Sequence, residues 1–281
     1  MDRLKSYFKF ILGAAHRFRE DGAFTMASAL SYTTLLSLVP LLTIALAIVA
    51  AFPTFGSVRG QLQVAAVNML APEVGQQVGK MIDDLIGNAG NLTAIGIIGL
   101  VITAVLLLVT IEDSLNRIFR INRARPPLSR LLVYWTMVTL GPLLLAASLS
   151  ITDWLLKSSG VENIGWLVDY ASAIFHFLML VALFSLLYCS VPNRRIPVRD
   201  ALIGGAVAAL AVTLLRFGFH IYVSDLHGYQ SIYGALAAVP ILLFWMYLVW
   251  LAVLVGAEIT ASLIEARQQS HHSIPALRRT S

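Results

Sequence analysis

Six long apolar runs dominate this chain and leave few folds open to it: Ala29–Phe52, Leu92–Ile111, Leu131–Ile151, Trp166–Val191, Ala201–Val223 and Tyr233–Ile259. A helix needs about 20 mostly apolar residues to cross the hydrocarbon core of a bilayer. Inside that core every backbone N–H and C=O must find its partner within the protein, so only helices and closed barrels span it. The runs are apolar all round and lack the alternation of barrel strands. The sequence therefore predicts an all-α, polytopic membrane helical bundle with about six transmembrane helices. Charged residues make up 12% of the chain, against ~25% in soluble domains.

The basic residues orient the bundle. Arg3, Lys5, Lys9, Arg17 and Arg19 precede the first run, and Arg117, Arg120, Arg123, Arg125 and Arg130 follow the second. Arg194, Arg195 and Arg199 follow the fourth; Arg267, Arg278 and Arg279 follow the last. The three opposite loops hold only Arg59, Lys80 and Lys157, and Arg216 lies inside a run. Cytoplasmic loops carry the excess of Lys and Arg, so both termini are expected in the cytoplasm of a bacterial cell, with the protein in its inner membrane. The first run exceeds a signal-peptide core and has no small-residue cleavage site after it, so it is expected to be a first span. A net charge of +5 distributed in this way points to anionic lipid headgroups at the cytoplasmic rim as partners rather than to nucleic acid. A homo-oligomer is left open.

Three domains of organisation follow. Residues 1–28 form a basic arm in which Leu4, Phe8, Ile11, Leu12, Ala15 and Phe18 share a helical face, the pattern of an interfacial helix. Residues 29–259 form the membrane domain, whose external loop 53–90 carries a second amphipathic repeat at Val74, Val78, Met81, Ile82, Leu85 and Ile86. Residues 260–281 read as a disordered cytoplasmic tail. The single cysteine, Cys189, excludes an internal disulfide and any CxxC pair. His271 and His272 are adjacent but make weak metal evidence. Neither a P-loop nor a GxGxxG fingerprint occurs, and no cofactor or metal is expected.

Ionisable groups inside a membrane are costly and mark functional positions or interhelical ties. Arg216 and His220 are four apart on the fifth run and share a face. Arg216 falls roughly 10 Å below the outer boundary at 1.5 Å per residue. Asp169 lies at a matching depth on the fourth run, with His176 two turns further in. These four residues are the candidate substrate-binding cluster, an Arg offering a fixed charge and a His a titratable one. A structural ion pair, or snorkelling of Arg216, is the competing reading. Pro40, Pro142 and Pro240 each fall inside a run, where proline removes a backbone bond and kinks a helix. Three such runs suggest an irregular bundle built around a cavity. Ser28, Ser31, Tyr32, Thr33, Thr34 and Ser37 make the first run hydroxyl-rich, suited to close packing or to lining a pore. Glu112, Asp113 and Glu258 sit beside arginine-rich segments; solvated or interfacial salt bridges account for them, and a cytoplasmic gate is the alternative.

Four segments carry a resemblance: ASALSYTTLLSLVPLL at 27–42, LNRIFRINRAR at 115–125, VPNRRIPVRD at 191–200 and YGALAAVPILLFWMYLVWLAVLVGAE at 233–258. With the spacing of the runs, the chain resembles the YihY/BrkB family of bacterial inner-membrane proteins over nearly its whole length. The resemblance implies a six-helix membrane protein. Members have been labelled ribonuclease BN or linked to serum resistance or lipopolysaccharide lipid export. It brings no catalytic motif. The motif residues it points to are Ser31, Tyr32, Pro40, Asn116, Arg117, Tyr233, Gly234, Pro240, Gly256 and Glu258.

Three functions compete. Kinked spans, intramembrane Arg and His and a basic rim favour a transporter or flippase-like protein for an amphipathic, anionic molecule. A structural protein of the envelope would use the same polar cluster as a tie between helices. The ribonuclease reading needs clustered metal-binding Asp, Glu or His; the 15 acidic residues and six histidines are scattered instead, so no enzyme activity is expected.

Overall fold

The computed structural model describes residues 12–50, 94–123, 125–158, 165–224 and 238–272. The loop repeat expected at 53–90 and the motif residues Tyr233 and Gly234 lie outside the described residues. Residues 12–20 form helix α1. Six longer helices follow: α2 (Ala23–Ala50), α3 (Ala94–Ile118), α4 (Pro127–Ser158), α5 (Gly165–Ser190), α6 (Val198–Ser224) and α7 (Ala238–His272). The shortest of the six has 25 residues, about 37 Å at 1.5 Å per residue, which exceeds the ~30 Å hydrocarbon thickness. Among the described residues, Tyr170–Ser190, Val198–Phe219 and Val239–Gln268 are long and apolar enough to cross a membrane, and Ala23–Leu38 is a shorter apolar stretch. The described residues contain no strand. The architecture is an all-α membrane bundle.

The helices alternate in direction, which brings one end of each to a common arginine-rich end. There the start of α2, the end of α3, the start of α4, the end of α5, the start of α6 and the end of α7 meet. Packing partners form a closed circuit: α2 lies on α7, α7 on α6, α6 on α5, α5 on α4 and α4 on α2, with α3 set against α2. At the arginine-rich end Ala27, Leu30, Leu115, Ile118, Tyr188, Ala201, Leu254 and Ala257 are fully buried or nearly so.

Small residues set the closest crossings. A Cβ added to Gly256 of α7 would meet the backbone oxygen of Gly204 of α6 at 2.6 Å, and one on Gly205 would meet the Val181 oxygen of α5 at 2.9 Å. With little hydrophobic drive between helices in lipid, close backbone approach and interhelical hydrogen bonds hold them together. Tyr188 Oη donates to the Val253 oxygen at 2.6 Å, Trp250 Nε1 donates to Thr34 Oγ1 at 2.9 Å and Ser37 Oγ donates to the Thr103 oxygen at 2.7 Å. The hydroxyls of α2 thus serve packing: Thr34 and Ser37 tie α2 to α7 and α3.

α2 and α4 are helical without interruption through Pro40 and Pro142, and Pro240 lies in α7. α7 continues to His272, further than the tail expected from residue 260. Its extension is apolar on one side: Ala261 and Ile264 are buried in the core. The arm also differs from a free interfacial helix. α1 ends on Gly22 at φ 72°, and Phe18 packs against the core.

The end of α3 departs from the usual residue choice. The Ile121 N–H donates to the Asn116 oxygen at 2.8 Å and the Arg120 N–H to the Arg117 oxygen at 3.0 Å, the two bonds of a Schellman cap. Such a cap places one residue in the left-handed region, usually glycine. Here it is Arg120, at φ 53°, at a cost of about 1–2 kcal/mol.

Candidate functional site

Three carboxylates at the arginine-rich end are buried: Glu112 of α3 and Asp200 of α6 at 0% exposure and Glu258 of α7 at 1%. Solvated salt bridges do not describe Glu112 and Glu258, because each projects from an apolar helix into the packed core. An uncompensated buried charge is strongly destabilising, and each of the three is met by an arginine from another helix.

Arg17 of α1 places Nε 2.7 Å from Glu258 Oε1, and its Nη1 bonds Glu265 about two turns further along α7. Arg130 of α4 places Nε 3.0 Å from Glu112 Oε2, and Tyr134 Oη donates to the same carboxylate at 2.7 Å. Arg267 of α7 places Nη2 2.8 Å from Asp200 Oδ1. Burial works to lower the pKa of the Arg130 guanidinium, but the charges of Glu112, Tyr134 and Asp113 and the hydrogen bond to Glu112 together raise it. These contacts are incompletely bonded. Among the described residues, Arg17 Nη2, Glu258 Oε2 and both Asp200 oxygens are buried without an aligned hydrogen bond. Charge faces charge, but several polar atoms go unsatisfied.

A second set of polar contacts locks the loops at this end. Asn116 Oδ1 accepts the Asn193 N–H at 2.9 Å, and Asn193 Nδ2 donates to the Arg123 oxygen at 3.0 Å. Arg125 donates to the Ser190 oxygen at 3.2 Å and the Pro192 oxygen at 2.9 Å, satisfying carbonyls left open at the end of α5.

The motif residues divide by role. Ser31 is buried, with Oγ donating to the Ser28 oxygen at 2.9 Å; Tyr32 is exposed. Arg117 lies against Gly22, its Nη2 3.4 Å from where a Cβ would stand. Gly256 makes the α6–α7 crossing, and Glu258 two residues on holds Arg17. Of the four residues of the candidate substrate cluster, His176 is half-buried on α5 and Arg216 is exposed on α6. Asp169 and His220 lie on the same two helices, and their side chains are outside the described residues.

Sequence reasoning passed over Arg17, Arg130, Tyr134, Asp200 and Arg267 as contact residues. The available signal was the carboxylates themselves: an acid that interrupts an apolar helix requires a cation from elsewhere.

Comparison with known proteins places this geometry in a family. The profile described as Virulence factor BrkB matches residues 14–279. A UPF0761 membrane protein of Alkalilimnicola ehrlichii is 40% identical over 97% of this chain and 62% of its own length. One of Rhodospirillum centenum is 42% identical over 94% of this chain and 60% of its own. One of Cronobacter sakazakii is 42% identical over 90% of this chain and 87% of its own. The chain thus spans about three fifths of the first two relatives and most of the third. No solved structure matches.

Proposed function

Starting from the fact that the chain belongs to the BrkB virulence-factor family of membrane proteins, we propose that it is a transporter or flippase-like protein of the bacterial inner membrane that moves an amphipathic, anionic lipid or small molecule. The observation that carries this reading is the set of buried arginine–carboxylate contacts joining different helices at the arginine-rich end. A buried ion pair adds little stability: well-packed apolar side chains of similar volume are often better by ~1–4 kcal/mol. Its better-attested use is as a registry or switch element, because parting helices can carry both charges into water. Three such latches, α1 to α7, α4 to α3 and α7 to α6, would hold the cytoplasmic end shut in one state and release it in another.

In the outer half, Arg216 and His176 supply the contact for an acidic group, with Asp169 and His220 completing the cluster. We assign the protein no enzymatic reaction; the names of its relatives state a membrane protein and no activity.

The test is reconstitution of the purified chain into vesicles carrying fluorescent phosphatidylglycerol, with transbilayer movement read by chemical quenching. Movement faster than in protein-free vesicles and altered by Glu258→Gln is the expected result. Vesicles in which neither anionic lipids nor organic anions move faster than the protein-free control would reject transport and leave an envelope scaffold.

A further inference from the structure

The loop after α3 and the loop after α5 border an open concavity of about 510 Å³ lined by residues 119–123 with Asn193 and Arg194. That volume falls in the range of small-molecule sites, roughly 300–1,000 Å³. Three of its lining residues are arginines and none is acidic. Among the described residues, none of Arg120, Arg123 and Arg194 is ion-paired, in contrast to Arg17, Arg130 and Arg267 at the same end of the bundle.

The site is built rather than incidental. Asn193 joins its two walls, donating its backbone N–H to Asn116 Oδ1 and its side-chain amide to the Arg123 oxygen. Arg125 clamps the second wall through the Ser190 and Pro192 oxygens. The third feature is backbone strain. Arg120 holds the left-handed position that closes α3, while α1 closes with glycine at the matching position, Gly22. Strained positions of this kind concentrate at ligand sites. The helix dipole favours a basic residue near this terminus, but it does not require one at the left-handed position.

We infer that this pocket binds a phosphate group, through Arg120, Arg123 and Arg194. Three unpaired guanidinium groups on fixed loops offer the forked donors that phosphate oxygens accept. A lipid headgroup and a free phosphorylated solute present the same chemistry. The exposed Leu128, Leu131 and Leu132, which follow the first loop closely along α4, supply apolar surface that a lipid would use. The site is separate from Arg216 and His176 and does not depend on translocation.

The full chain in detergent is titrated with phosphatidylglycerol and with phosphatidylcholine, read by native mass spectrometry. Inorganic phosphate is titrated in parallel by calorimetry. Arg123→Gln/Arg194→Gln should weaken the phosphate-dependent binding about tenfold per guanidinium lost, the size of one charge-assisted hydrogen bond. Arg120→Gly should weaken it as well while leaving the unfolding temperature unchanged or higher, since glycine relieves the backbone. Loss in the lipid arm alone supports a headgroup site, and loss in both arms supports a site for free phosphate. Equal binding by wild type and the double variant in both arms overturns the inference. So does an equal loss in Arg19→Gln/Arg199→Gln, which removes the same charge outside the pocket.

Discussion

The Arg17 guanidinium stands 2.7 Å from the Glu258 carboxylate, so the short helix at the start of the chain is pinned to the last helix of the bundle. Arg17→Ala leaves Glu258 buried at 1% exposure without its counter-charge. Breaking a buried pair from one side costs about 3–5 kcal/mol. Replacing both partners together, Arg17→Met/Glu258→Met, should cost far less, because no charge is stranded. Thermal unfolding in detergent distinguishes them; equal losses would mean that the two residues are not energetically coupled.

Glu112 is held from α4 by two groups, Arg130 and Tyr134. Tyr134→Phe keeps the packing and removes the hydroxyl, at a cost of about 1.5–3 kcal/mol for a hydrogen bond to a charged group. Arg130→Ala should cost more, since it leaves the charge of a fully buried carboxylate unmatched. The two losses should also be non-additive, as for residues sharing one network. Additive unfolding energies in the double variant would show that Tyr134 and Arg130 act on Glu112 separately.

Helical class and the placement of the long helices, though not their ends, were legible in the sequence because twenty successive apolar residues are a collective signal. The alternating Lys and Arg counts likewise anticipated which helix ends gather together. Partner choice was not legible. Glu258 interrupts LVGAEITASLI and so calls for a cation, but nothing local selects Arg17 over its neighbour Arg19. Asp200 ends the arginine-rich VPNRRIPVRD; its partner Arg267 comes from the helix extension that the sequence reading assigned to a tail. The place of Arg216 on α6 followed from the sequence, while its exposure depends on how α6 is rotated against α5 by Gly205 and Ser185, which periodicity alone does not determine.

Gly204 and Gly256 cross where the backbones of α6 and α7 are in contact. Gly256→Leu must displace the Gly204 oxygen, the Tyr188 hydroxyl and the Ala208 methyl, and two of the three cannot move without moving a helix. Overpacking of this kind costs about 1–3 kcal/mol or more. The variant should unfold at lower temperature and lose the Tyr188–Val253 hydrogen bond. Gly218 of α6, which has nothing within 4 Å of its Cβ position, is the control: Gly218→Ala should be neutral or stabilising, as a glycine inside a helix is about 0.5–1 kcal/mol worse than alanine. Equal destabilisation at both positions would assign the effect to glycine loss in general rather than to the crossing.

Arg216 is exposed on α6, so its substitution separates function from folding. Surface changes away from packed features usually alter stability by less than about 0.5 kcal/mol, and Arg216→Ala should leave the unfolding temperature in place. If its guanidinium contacts an acidic substrate, the same variant should lose movement of that substrate in vesicles. Arg216→Lys keeps the charge but not the forked donor, so it should retain part of the activity. A snorkelling arginine would behave differently: lysine would replace it fully, and alanine would affect insertion or stability rather than transport. Measuring both variants for unfolding and for vesicle transport therefore decides between them, and full transport by both would remove Arg216 from the substrate path.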